Sequence, residues 1–332
     1  MFDFVNFEGC GPSYRFYGGD AGRKVGVVYD SGDWLIKFPG STRSLKGSVP
    51  SYTSSPLSEY LGSHMYGLLD IPVHETRLGV RDGKVVVGCK DFVSDPHQGR
   101  ARRLVEFKEL KNSISDDEPG FTDVPSSGAS VVLADVRAAL YRIPVLQNLD
   151  AVERFWDMFV TDAFIRNVDR NNTNWGILLD ENNDASLAPV YDNGGSFFNK
   201  RTLNAIDARV GNTELIRQDA LDVRSCYLNA SGKSIAPLKY IASGQDQDCN
   251  AALGRFMERY DPQAFRDVLD EIPEHALGLN IITDAYREYH KQVLDYRYEH
   301  VFAPAALQIN PAIGTLGFDD GMTPQAASSR TL

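Results

Sequence analysis

The pattern of the chain changes twice between Leu149 and Leu179, and these changes constrain the fold more than any other stretch. Leu149, Val152, Phe155, Trp156, Phe159, Val160, Ala163 and Phe164 recur at helical spacing and form a broad apolar stripe. A helix apolar over so much of its surface belongs at the centre of a layer. It runs into the polar loop Asn167-Val168-Asp169-Arg170-Asn171-Asn172-Thr173-Asn174, which gives way to the strand-like Trp175-Gly176-Ile177-Leu178-Leu179. The turn Asp180-Glu181-Asn182-Asn183-Asp184 then sends the chain back to Ala188-Pro189-Val190-Tyr191-Asp192-Asn193-Gly194-Gly195. The polar loop is therefore held between a buried helix and a hairpin, and the hairpin returns Asp192 towards Asp169 and Asn174.

Three readings compete for residues 169–192. As a calcium loop, Asp169, Asn171 and Thr173 stand at oxygen-ligand spacing and Asp180 at the twelfth position. However, Asn174 replaces the glycine of the sixth position, Asp180 replaces a glutamate, and a strand follows where a helix is required. As plain turns and caps, the Asp and Asn residues would satisfy local backbone groups. That accounts for 180–184 but not for the order of Asp169, Asn174 and Asp192 around an apolar hairpin. The third reading is phosphoryl transfer. One carboxylate meets the acceptor hydroxyl, an amide oxygen and a second carboxylate hold magnesium, and ATP supplies the phosphoryl group.

The third reading requires upstream parts in a fixed order. Residues 18–24 are glycine-rich, and glycine lets backbone N–H groups approach phosphate oxygens, with Arg23 and Lys24 adding charge beside Gly22. Val25-Gly26-Val27-Val28-Tyr29 and Trp34-Leu35-Ile36-Lys37-Phe38 predict a hairpin closed at 30–33. Lys37 interrupts an apolar strand; it is either a phosphate-binding lysine or an edge lysine facing water. Ser55-Pro56 opens a helix bearing Leu57, Tyr60, Leu61, Met65 and Leu68 at helical spacing. Its Glu59 is either a partner for Lys37 or a carboxylate favouring the helix dipole, the commoner fate of a glutamate near a helix start. Residues 73–79 and 84–90 predict two strands joined by Arg81-Asp82-Gly83. The connector Lys90-Asp91-Phe92-Val93 is where an adenine ring would meet backbone groups.

Other segments carry weaker patterns. The basic stretch 99–111 predicts a helix, residues 119–130 a mobile loop, 196–220 a variable segment, and 248–300 helices with a boundary at Pro273. Residues 304–332, rich in Pro, Ala, Gly, Ser and Thr, predict a disordered tail. The expected organisation is an N-lobe over 1–93, a connector and variable insertion over 94–149, a helical C-lobe over 150–303 and the tail. This is an α+β, two-lobed, protein-kinase-like fold with an antiparallel-sheet N-lobe and a mainly helical C-lobe.

Charge and cysteine content narrow the partners. A net charge of −11 disfavours nucleic acid. Cys10, Cys89, Cys226 and Cys249 are scattered without metal spacing, which predicts reduced thiols and a cytoplasmic protein. Neither a signal-peptide order nor an apolar run of about 18 residues is present, so no membrane span is expected.

The segment Asn167–Asn174 with Tyr191-Asp192 resembles the HipA-like protein kinases of bacteria, and more closely their short single-domain members, over roughly residues 14–300. The resemblance implies a kinase acting on serine or threonine of a protein substrate with ATP and Mg2+, with autophosphorylation. Asp169 would match the catalytic base, Asn174 and Asp192 the metal ligands, Lys37 the phosphate-binding lysine, and Gly22, Arg23 and Lys24 the phosphate loop. The sequence departs from the pattern at two places. Thr173 stands where many HipA-type kinases have lysine, and Asn171 where eukaryotic-type kinases have one. A positive charge expected near the transferred group must then come from Arg170, Arg23 or Lys24, or activity is low. The chain leaves no room for the extra N-terminal domain of toxin-type members, so no antitoxin contact through it is expected. Autophosphorylation acceptors are sought in 41–55 or at Ser196 and Thr202. Phosphoinositide and small-molecule kinases share the Asp169–Asn174 spacing, and an ATP-binding pseudokinase is the non-enzymatic alternative.

Overall fold

The computed structural model describes residues 2–15, 17, 22–47, 49–94, 102–113 and 131–310. The N-lobe is a five-stranded sheet in the order β1 (Val5–Asn6), β4 (Thr76–Arg81), β5 (Lys84–Lys90), β3 (Gly32–Lys37), β2 (Lys24–Tyr29). All pairings are antiparallel except β1 with β4. The β2–β3 hairpin turns at Asp30 and Ser31, both at positive φ (47° and 60°), which suits the right-handed twist of the flanking strands. Trp34 and Ile36 point into a small core with Val5, Phe7, Val27, Phe38 and Val86, while Leu35 and Lys37 take the opposite face.

Helix α1 (Ser55–Leu68) starts as expected, with proline in its first turn. Its Leu61, Met65 and Tyr66 are wholly buried, in a core continuous with that of the C-lobe.

The basic stretch 99–111 departs from the helical expectation. Its described part is a strand, β6 (Arg103–Glu106), followed by α2 (Phe107–Asn112). The strand forms because Leu104 and Val105 pair with Leu178 and Ile177 of β8 (Gly176–Leu179), a long-range ladder that overrides local propensity. β9 (Ala185–Leu187) completes this three-stranded sheet. The short β7 (Val131–Val132) lies parallel to β10 (Tyr227–Leu228). Helices α3 (Leu133–Arg142) and α4 (Pro144–Asn148) pack with α5 (Ala151–Ile165), so the helical lobe begins before Asp150.

Further on lie α6 (Leu203–Asp207), α7 (Thr213–Leu221), α8 (Pro237–Ala242), α9 (Gln247–Arg259) and α10 (Pro262–Glu271), then the hairpin β11 (His275–Ala276) and β12 (Leu279–Asn280). Helix α11 (Asp284–Arg297) passes through a π-helical turn (Tyr298–Phe302) into α12 (Ala303–Ile309). The expected disordered tail therefore starts too early: residues 304–309 are helical, and Ala305 and Ala306 are buried against the core. The rest of that segment, and the loop 119–130, lie outside the described residues. No described helix is long and apolar enough to cross a membrane.

Candidate active site

Helix α5 ends at Ile165. Arg166 takes the left-handed conformation (φ 59°), and Asn167 N–H closes the helix on the Asp162 carbonyl at 2.8 Å. The loop that follows is built around a buried ion pair. Arg170 is 1% exposed and donates from Nε to Asp162 Oδ2 at 2.9 Å and from Nη2 to Oδ1 at 3.2 Å. Its other N–H groups reach the carbonyls of Asn174 and Tyr191 and the side-chain oxygen of Asn193. Asp162 also accepts from Tyr66 Oη at 2.7 Å and Asn167 Nδ2 at 3.0 Å. The planar fork of arginine thus joins α5, the loop and the 191–193 segment. Arg170 is therefore not the positive charge facing the transferred group; it lies behind the loop as its clamp.

Around this clamp the amides of Asn171 and Asn174 are committed, whereas both polar atoms of the buried Asn172 side chain have no hydrogen-bond partner among the described residues. Asn171 Nδ2 donates to Asp169 Oδ1 at 3.0 Å, and Asn171 Oδ1 accepts from Thr173 N–H at 2.9 Å. Asn174 Nδ2 donates to the Asp169 carbonyl at 2.6 Å, which leaves Asn174 Oδ1 as the end able to act as a ligand. Asp169 reaches solvent at one edge of the loop, with its carboxylate partly enclosed by its neighbours. Burial by its surroundings raises its pKa above the ordinary carboxylate value; Asn171 opposes this and Asp192 adds to it. The Lys200 charge also reaches Asp169.

The three lobe-bridging charges meet at Lys37. Its Nζ lies 2.9 Å from Glu59 Oε2 and 2.9 Å from Asp192 Oδ1, although Lys37 and Asp192 are 155 positions apart. Burial alone would lower the Lys37 pKa; Asp192 and Glu59 outweigh it and hold the ammonium well above its usual value. Burial alone would raise Glu59, but the Lys37 charge and the His74 hydrogen bond hold it well below the carboxylate range. Glu59 Oε1 accepts from His74 Nε2 and from the Asn193 N–H, each at 3.0 Å. Glu59 is thus the lysine's partner, not a dipole carboxylate. Asp192 has φ 59°, a conformation that costs a non-glycine residue about 1 kcal/mol or more and marks a backbone held by its surroundings.

These groups face a cleft of about 390 Å³ between the lobes. Lys24, Leu35, Lys37 and Cys89 line it from the sheet, Lys90, Asp91, Phe92 and Val93 from the connector, and Thr173, Asn174, Tyr191 and Asp192 from below. The connector amides are partly used: Asp91 N–H bonds the Asp33 carbonyl at 2.9 Å, and Val93 N–H bonds Asp91 Oδ1 at 2.7 Å. Asp91 also receives Tyr17 Oη at 3.1 Å and lies 3.7 Å from Arg15 Nε, so the segment before β2 folds against the connector.

Of the site residues expected from sequence, Lys24, Lys37, Asn174, Asp192 and the Lys90–Val93 connector line this cleft, Glu59 pairs with Lys37, and Asp169 and Asn171 lie on the adjoining loop without lining it. Arg170 is turned away, and two others do not reach the site. Arg23 pairs with Asp82 at 2.6 Å and stacks on Phe38, and is not among the residues that line the cleft. Gly22 (φ 76°) sits near the Phe38 carbonyl, and residues 18–21 of the expected glycine-rich tip lie outside the described residues. Ser196 is fully buried, its hydroxyl donating to the Asn193 carbonyl, and is inaccessible as an acceptor; Thr202 caps α6. Sequence reading missed His74, Asn193 and Asp162. Only Asp162 left a signal, as a carboxylate within an apolar helix.

No family model matches the chain. The serine/threonine-protein kinase CtkA of Helicobacter pylori is 29% identical over 288 residues, covering 85% of this chain and 81% of that protein. The crystal structure of a Helicobacter pylori proinflammatory kinase CtkA superposes with a TM-score of 0.79 at 26% identity, covering 92% of this chain and 99% of that one. A Shewanella oneidensis HipA, solved with HipB and operator DNA, aligns over 90% of this chain and 70% of that one, with a TM-score of 0.47 and 12% identity. Its sequence and its two-lobed fold are those of a serine/threonine protein kinase similar to CtkA.

Proposed function

We propose that the cleft binds ATP with Mg2+ and that Asp169 directs a protein hydroxyl at the γ-phosphoryl group. The observation that carries this reading is Lys37 Nζ at 2.9 Å from both Glu59 and Asp192, with Asn174 lining the same cleft. The donor set fits the metal. Mg2+ favours oxygen ligands, and the Asp192 carboxylate and Asn174 Oδ1 supply them. When bound, the ion would neutralise the charge on the ATP phosphates. Among the described residues Glu59, His74 and Cys89 also cluster, but the Glu59 oxygens are already taken by Lys37, His74 and Asn193.

In this reading Lys37 binds phosphate oxygens, and Glu59 holds Lys37 in place. Lys24 adds charge at the cleft wall. The adenine lies between Leu35, Cys89 and Tyr191, against the Lys90–Val93 connector; the Asp91 and Val93 N–H groups are internally paired, which leaves the Phe92 N–H. Asp169, held by Asn171, orients the acceptor hydroxyl and accepts its proton. Catalysis is then positioning and electrostatics. The intact Lys37–Glu59–Asp192 contact favours turnover over a binding-only role. For autophosphorylation, the exposed Ser41, Ser44 and Ser51 within 41–55 are the acceptors the structure leaves accessible.

Radiolabel transfer from ATP to a peptide library, to phosphoinositide vesicles and to the chain itself tests the proposal, with wild type, Asp169→Ala and Asp192→Ala compared with and without Mg2+. Label is expected on peptide and chain, only with wild type and Mg2+. Equal labelling by all three proteins would refute the assigned roles.

A further inference from the structure

Beside the catalytic loop, and outside the nucleotide cleft, the chain gathers positive charge against its overall balance of −11. Arg166, three residues before Asp169, and Arg201 stack on Phe198, with guanidinium carbons 4.1 Å and 4.2 Å from the ring centroid. Arg201 and Arg209 both pair with Asp219, and Arg166 lies 3.6 Å from Asp222. Arg297, buried behind them, makes no ion pair among the described residues and donates to the carbonyls of Phe164, Asp219 and Ala220. Lys200 is exposed and makes no ion pair among the described residues. With Arg224 on Asp222, six cations thus stand against three carboxylates: Asp219, Asp222 and, reached by the Lys200 charge, Asp169.

Two further observations mark the cluster as more than a salt-bridged surface. The cations bear on one another: burial, and then the neighbouring Arg201, lowers Arg166, while burial and Arg166 lower Arg297 to about 9. Phe197 and Phe198 both have positive φ (51° and 52°), a strained backbone that presents the Phe198 ring to the two guanidinium groups. Strain of this kind, about 1–3 kcal/mol per residue, persists where the surroundings impose it, commonly at binding sites.

The cluster also lies on the acceptor side. The segment leaving Asp192 passes Asp169 at Gly195, where a Cβ would stand 3.2 Å from Asp169 Cβ, and then reaches Lys200 and Arg201. Guanidinium groups bind carboxylate and phosphate through paired N–H donors.

We infer that this rim receives an anionic group, a carboxylate or a phosphoryl, carried by the acceptor polypeptide close to its acceptor hydroxyl. The inference rests on the kinase reading above and specifies its substrate class.

The test uses the full chain and serine peptides whose flanking positions carry Ala, Glu, phosphoserine or Lys. Binding is read by fluorescence anisotropy and turnover by label transfer. Glu or phosphoserine at one or two flanking positions is expected to tighten binding about tenfold over Ala, and Lys to weaken it. The larger of the two anionic effects distinguishes carboxylate from phosphoryl. Lys200→Glu, at an exposed position, is expected to reduce the preference to about twofold or less; Arg166→Gln, its fold checked by thermal midpoint, to reduce it as well. A wild-type ratio near one, or a ratio that neither variant changes, overturns the inference. A preserved binding preference with no label transfer to any peptide overturns the kinase reading and leaves the anion site standing.

Discussion

Arg170→Met is the most direct test of how the Asp169–Asn174 loop is held. The substitution keeps much of the side-chain volume but removes the donors that reach Asp162, Asn193 and the carbonyls of Asn174 and Tyr191. Breaking a buried pair by removing one partner costs about 3–5 kcal/mol, because the other charge stays buried. Asp162 keeps Tyr66 and Asn167 as donors, so the lower end of that range is expected. Unfolding entropy of about 2.1 cal/mol/K per residue gives a 332-residue chain roughly 0.7 kcal/mol/K, so a loss of about 3 kcal/mol should lower the midpoint by about 4 °C. Calorimetry on wild type, Arg170→Met, Asp162→Asn and the double variant closes a cycle. Because each partner's loss strands the other, the double variant should be at least about 1 kcal/mol more stable than the sum of the singles predicts. Label transfer should fall by far more than the stability loss explains, since Asn174 and Asp192 lose their common anchor. Additivity within about 0.5 kcal/mol would refute the claim that the two side chains act as one unit.

Three other outcomes follow from the same geometry. Asp169 has a raised pKa, so kcat/KM should fall on acidification at a pH above the ordinary carboxylate value of about 3.9; Asn171→Leu, which removes the opposing hydrogen bond, should move that limb to higher pH in a pH-rate profile. Glu59 is depressed in the folded state, so its contribution to stability is present above its unfolded pKa of about 4.3 and is lost as pH falls; Glu59→Gln should flatten the acid limb of a denaturation series. Gly195→Ala would put a Cβ 2.8 Å from Asn167 Oδ1, and should lower kcat at least about tenfold while moving the melting midpoint by only a few degrees.

The central helix, the Asp169–Asn174 loop, the β2–β3 hairpin and the start of α1 were legible because periodicity and turn chemistry are local. What failed was non-local. Strand β6 reads as a basic helix until Leu178 and Ile177 are placed beside Leu104 and Val105. Helix α12 has the composition of a loose tail, and only burial of Ala305 and Ala306 against the core makes it helical. Arg170, beside Asp169, is one of three candidates for the charge that Thr173 and Asn171 do not supply; its partner Asp162 is eight positions back, across a helix end, and draws it inward. His74 and Asn193 carry no pattern at all, since their importance lies in reaching one oxygen of Glu59. The Lys37–Glu59 pairing was one of two readings, and the dipole alternative lost because that carboxylate is buried beside an ammonium ion.

Helix α1 carries Glu59, yet its Leu61, Met65 and Tyr66 belong to the same core as the C-lobe, and Tyr66 is tied to Asp162. Swinging that helix outward would expose three side chains at roughly 1.5–3 kcal/mol each, besides separating the charges at Lys37. A toggle of that kind is out of reach of a single modification or a weakly bound effector. The sheet shares that commitment: Leu78, Val87 and Cys89 of β4 and β5 lie in the same core, and only its outer face, around Trp34, has a core of its own. The contact of Lys37 with Glu59 and Asp192 is then assembled as the chain folds, and held by the same core that holds the two lobes together.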